Sequence, residues 1–171
     1  MKYLSFLMIL CFFLVGCSDK ENSQKELSKE EKQKIILTYV NESTQKVSDY
    51  EVEAFNSLSS VSGDNYSDDK TLLAELVNNT MPAYEKAVKE AKSIKPEIKE
   101  LDSPAKKMVT ATETFYSALE LEKEALEKSD EEIMQKSNQK MLEYQKLIKE
   151  YHAEMKQITK KYNVDYDPTN D

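Results

Sequence analysis

The amino-acid sequence predicts an all-α fold: an antiparallel up-down-up-down bundle of four helices, or of three with a very long last one. Three observations carry this. Apolar residues recur at alternating steps of three and four along most of the chain after residue 28, the spacing of one helix face. Only two glycines and four prolines occur in 171 residues, while Glu, Lys, Leu and Ala abound. The last stripe is the cleanest: Met134, Ser137, Met141, Tyr144, Ile148, Tyr151, Met155, Ile158 and Tyr162 form a heptad seam.

The first segment, 1–16, is not part of that bundle. Lys2 precedes an apolar run over 3–15, with Ser5 its only plainly polar side chain, and no acid appears before Asp19. The run is too short to span a bilayer core, which needs about 20 helical residues. It has the layout of a secretory signal. It closes on Leu14-Val15-Gly16-Cys17. At that place the tetrapeptide resembles the lipobox of bacterial lipoproteins: leucine, a small or β-branched residue, a small residue, then cysteine. An uncleaved anchor would have no need of small Gly16 before Cys17.

The resemblance implies cleavage between Gly16 and Cys17 and a diacylglyceryl group on Cys17, whose thiolate is the side chain readily alkylated. It implies a cell-membrane location, lipid-anchored on the extracytoplasmic face. Two acyl chains, at about 0.8 kcal/mol per buried methylene, hold stably where one is marginal. The chain is similar to the small helical lipoproteins of Gram-positive bacteria with lysine-rich, arginine-poor proteomes. Some of these are wall-binding and others are mobile-element surface proteins.

Lipidated Cys17 and the polar residues 18–27 then form a tether of at most about 35 Å for the ten residues after the cysteine. A bundle domain over 28–162 follows. Ser28 with Glu31 has capping-box spacing and opens the first helix. Its stripe is Ile36, Val40, Val47, Tyr50, Ala54 and Leu58, interrupted by Ser43, and it ends near Ser59-Ser60. Residues 61–69 compose a loop, and Ser67, Asp68 or Asp69 can cap the second helix. That helix carries Leu73, Val77, Thr80, Tyr84, Ala87, Ala91 and Ile94. Pro82 lies inside it, which predicts a kink, or a break with Asn79 or Thr80 as a new cap.

Ser103-Pro104 reads as N-cap and first position of the third helix, with Met108, Thr112, Phe115, Leu119 and Leu126 inward and Glu122 flanked by the last two. Ser129 and Glu132 have capping-box spacing again, so a tight turn at 128–130 is favoured over one helix from 104 to 162. A coiled-coil homodimer through 134–162 is a further possibility. Residues 163–171 read as a polar tail.

Composition excludes several functions. The chain has 32 acidic and 24 basic residues, a net charge of −8, and every cation is lysine. This argues against nucleic acid, whose phosphates need a basic patch, and against electrostatic attraction to anionic headgroups. Bidentate guanidinium recognition is unavailable. Cys11 and Cys17 are the two cysteines, so no disulfide is possible within 17–171.

No catalytic set emerges. His152, the one histidine, sits beside the seam and reads as a partly solvated helix residue rather than a base or ligand. A di-iron bundle needs Glu-x-x-His on two helices, and residue 149 is lysine. No phosphate loop can be built with Gly63 alone beyond the signal. Asp64, Asn65, Asp68 and Asp69 are the densest oxygen cluster, but their spacing misses the calcium-loop pattern and helix capping explains them. Tyr39, Tyr116 and Tyr166 fall off the stripes and could form a contact patch for a partner or glycan.

The sequence therefore predicts a membrane-anchored, non-enzymatic helical interaction module at the cell envelope, without cofactor or metal. Its expected partner is an envelope protein or a wall polymer. The alternative is a small-ligand-binding or cell-wall-binding lipoprotein.

Overall fold

The computed structural model describes residues 26–168. The expectations at Leu14 to Cys17, for the signal over 1–16 and for most of the tether lie outside them. All regular structure among the described residues is helical.

The first rod is α1 (Lys29–Thr38), a π turn (Tyr39–Ser43) and α2 (Thr44–Ser59). It starts as its sequence directs. Ser28 Oγ accepts from the Glu31 amide at 3.2 Å, and Glu31 Oε2 accepts from the Ser28 amide at 2.7 Å. These bonds satisfy two amide donors at the helix start. The second rod is α3 (Asp69–Glu75), a π turn (Leu76–Thr80) and α4 (Met81–Ser93). Of the three candidate caps Asp68 serves, accepting from the Thr71 amide at 3.0 Å.

Pro82 does not break the second rod. The helix widens into the π turn just before it, and neither Asn79 nor Thr80 acts as a new cap. A proline lacks an amide and crowds the carbonyl four residues back; a wider turn relieves both.

The third rod is α5 (Asp102–Lys128), entered through a 3₁₀ turn (Lys99–Leu101). Ser103 is not its cap. The helix has already begun at Asp102, and the Ser103 hydroxyl donates instead to Glu154 Oε2 at 3.0 Å. The chain then turns at Ser129 and Asp130 into the fourth rod, α6 (Glu131–Tyr162). Residues 104–162 are thus two helices. Ser129 takes the left-handed conformation (φ 52°) that closes α5, and Asp130, not Ser129, caps α6. Asp130 Oδ1 accepts from the amides of Glu132 (2.9 Å) and Ile133 (3.1 Å).

The rods pack as an antiparallel up-down-up-down bundle. α5 lies along α6, α4 bridges α5 and α2, and α1 closes the ring against α6. The interior forms two layers. One gathers Ile36, Tyr39, Val47, Met108, Tyr151 and Met155; the other gathers Ala54, Leu76, Tyr84, Phe115 and Leu119. Every seam residue of α6 is buried or half-buried. Ser137 fits this seam because its hydroxyl donates to the Ala118 carbonyl at 2.8 Å, bringing α6 close to α5.

Two stripes are displaced by one residue. Leu72 and Leu76 are buried where Leu73 and Val77 were expected, and Val77 is 38% exposed. Tyr39 is buried where Val40 was expected. In the second rod the shift includes Leu72 ahead of the π turn, whose extra residue sets that stripe back by one position; in the first, Ile36 keeps its expected place and only Tyr39, inside the turn, is displaced. Beyond α6, Asn163 turns left-handed (φ 54°), Val164 is buried and Tyr166 packs on the first core layer. No helix among the described residues is long and apolar enough to cross a membrane.

Candidate functional site

Between α2 and α6 lies a cleft of about 190 Å³, closed at one side by Tyr166 and Pro168 of the returning C-terminal segment. α2 supplies Thr44, Ser48, Glu51 and Phe55; α6 supplies Tyr144, Ile148, Tyr151 and His152. These side chains share the cleft because each group lies one or two turns apart on a single helix face.

Glu51 is its centre. It stands four residues after Val47 and three before Ala54, so the helix carries it inward with the stripe. The Tyr84 hydroxyl donates to Glu51 Oε1 at 2.6 Å and the Tyr144 hydroxyl donates to the same oxygen at 3.3 Å. Burial raises the Glu51 pKa, and the two hydroxyls offset this in part by stabilising the carboxylate. The tyrosines respond in kind: burial first, then the Glu51 charge, holds both phenols well above their usual range. Behind them the Phe115 ring lies tilted at 4.4 Å from Tyr84 and edge-on at 4.8 Å from Tyr144, and Phe55 meets Phe115 edge-on at 5.0 Å. Such ring contacts fix the hydroxyls in place.

At the other end His152 Nδ1 and the Tyr166 hydroxyl are 2.6 Å apart. Tyr151 lies beside His152, with ring centroids 5.2 Å apart, and beside buried Tyr39, whose phenol is pushed up to about 12, chiefly by burial. The Tyr39 hydroxyl is sealed from solvent and makes no hydrogen bond of ordinary geometry.

The residues singled out from the sequence are dispersed. Tyr39 is core, Tyr116 packs on the second layer, and Tyr166 alone of the three reaches the cleft; they form no common patch. Among the described residues Tyr66 is the exposed tyrosine, 49% accessible, and its hydroxyl donates to Asp69. The loop acids serve the loop: Asp68 caps α3, and Asn65 donates to the Ser59 carbonyl. Among the described residues no three His, Cys, Asp or Glu side chains gather where they could hold an ion. His152 does join the cleft.

Sequence reasoning missed Glu51. The available signal was its stripe register, the same register that places Glu122 between Leu119 and Leu126. Glu122 too is held above the usual carboxylate range by burial. Comparison with protein-family models, with curated proteins and with solved structures finds no match for this chain.

Proposed function

We propose that this protein is a lipid-anchored, non-enzymatic binding module on the extracytoplasmic face of the cell membrane. The observation that carries the reading is Leu14-Val15-Gly16-Cys17 at the end of an apolar run. Cleavage before Cys17 leaves the lipid as the only attachment, because the acidic bundle has no charge attraction to an anionic bilayer. The short tether then keeps the bundle's Ser28 end near the surface, and its flanks face envelope proteins and wall polymer.

The cleft favours binding over chemistry. Its one carboxylate, Glu51, already accepts the Tyr84 and Tyr144 hydroxyls, and its one imidazole, His152, is engaged with Tyr166 at the other end, so the two do not face a common reacting atom. The small-ligand reading has its own support in that same cleft, which is concave, ring-lined and carries a few convergent polar groups.

Photo-crosslinking on intact cells from exposed positions such as Leu142, 66% accessible, tests the interaction role. The expected result is a reproducible adduct with one envelope protein or with wall polymer. Adducts indistinguishable from those of an unrelated lipid-anchored helical protein would overturn it.

A further inference from the structure

We propose that the Glu51 cleft binds a small organic cation, its ammonium head held between the Glu51 carboxylate and the surrounding ring faces. The inference rests on the cleft alone and stands whether or not Cys17 carries lipid.

Charge is the first argument. All 24 cationic side chains of this sequence apart from His152 are lysines, and none of them lines the cleft. Other acids of the bundle find a lysine: Glu100 meets Lys32 at 2.8 Å and Glu154 meets Lys107 at 3.2 Å. Glu51, crowded by protein on most sides, pairs with no lysine among the described residues. A half-buried carboxylate without a counter-charge still loses part of its hydration, at a cost that a bound cation would offset. Its two protein hydrogen bonds both fall on Oε1, which leaves Oε2 for a donor or a cation.

The walls are the second argument. Phe55 and Tyr144 line the cleft on the Glu51 side, and Tyr151 and Tyr166 line it farther along. Aromatic faces attract a cation within about 6 Å of the ring centroid, most strongly when it is desolvated. An anion would meet the carboxylate and the negative ring faces together, and is disfavoured twice.

Size is the third. A volume of about 190 Å³ is below the usual ~300 Å³ of drug-sized pockets. It is somewhat above the ~150 Å³ cavity that holds benzene. A methylated or primary ammonium with a short stem fits; a peptide or nucleotide does not.

The experiment titrates the full chain in detergent with choline and tetramethylammonium. The control is 3,3-dimethylbutanol, the neutral isostere of choline. The ring resonances of Tyr144, Tyr151 and Tyr166, the tyrosines that line the cleft, report binding there. The expected result is saturable binding of a cation, at least tenfold tighter than the neutral isostere. Glu51→Gln should weaken it about tenfold or more, and Glu53→Gln, outside the cleft, should leave it unchanged. Failure of either cation to saturate by ~10 mM would overturn the proposal. So would equal affinity for the isostere, or unchanged binding in Glu51→Gln. If Glu51→Gln does not fold, the isostere comparison on the unaltered chain decides alone.

Discussion

Burial disfavours the ionised form of Glu51, so its folded pKa lies above the 4.5 of an exposed glutamate. The folded state therefore binds the proton more tightly than the unfolded chain. Its contribution is most favourable below pH 4.5 and is lost as pH rises through the folded value. Glu100 behaves oppositely. Hydrogen bonds from Lys32 (2.8 Å) and Tyr162 (2.6 Å) hold its carboxyl down at about 2. Its contribution is complete above pH 4.5 and is lost as pH falls toward 2. Urea midpoints across pH should separate the two. Relative to Glu51→Gln, the unaltered chain should lose stability from pH 4.5 upward; relative to Glu100→Gln, it should lose stability below pH 4.5. A flat difference for Glu51→Gln would show that its carboxyl is not buried as described. Asp130 offers a simpler case. It caps α6 through two amides, so Asp130→Ala should cost about 1 kcal/mol in urea or thermal unfolding.

The helices themselves were legible where local chemistry decides. The Ser28 capping box, the Asp68 cap and the turn at 128–130 follow from hydroxyls, carboxylates and their spacing. The α6 seam is readable for the same reason, since no residue interrupts its register over 134–162. The π turns were not legible, because nothing in Tyr39–Ser43 or Leu76–Thr80 forces a wide turn except Pro82 behind the second. A straight-helix count across them therefore selects Val40, Leu73 and Val77 instead of Tyr39, Leu72 and Leu76. Glu51 escaped for a related reason: a lone acid in stripe register reads as a solvated edge until the opposing Tyr84 and Tyr144 hydroxyls are in view. The π-turn account has a direct consequence. Removing Asn78 together with Pro82→Ala should convert Leu76–Thr80 to regular helix and keep Leu72 and Leu76 inward. Its ellipticity should match the unaltered chain, with an unfolding midpoint within about 1–2 kcal/mol. Deleting Glu113 from the middle of α5 rotates half of that helix by about 100° and should abolish cooperative unfolding. Equal loss in both deletions would refute the register argument.

At the scale of the whole molecule the bundle consumes its own apolar faces. The α6 seam is covered from within the chain, which leaves that face no room for a second copy of the same helix. What remains outside is acidic, with scattered exposed apolar residues such as Leu27, Val52 and Leu142. Such a surface does not seek an anionic membrane, so the proposed location depends on the proposed covalent lipid. The two proposals are separate: the cleft would select a ligand, and the anchor would set where the ligand is met. The anchor is the central claim, and it reduces to one atom, the sulfur of Cys17. Cells producing the unaltered chain or Cys17→Ser, fed labelled palmitate and then fractionated, test it most directly. The account predicts label and membrane association for the unaltered chain, and for Cys17→Ser no label and either an uncleaved precursor or release from the membrane. Label retained at the same level in Cys17→Ser would contradict it.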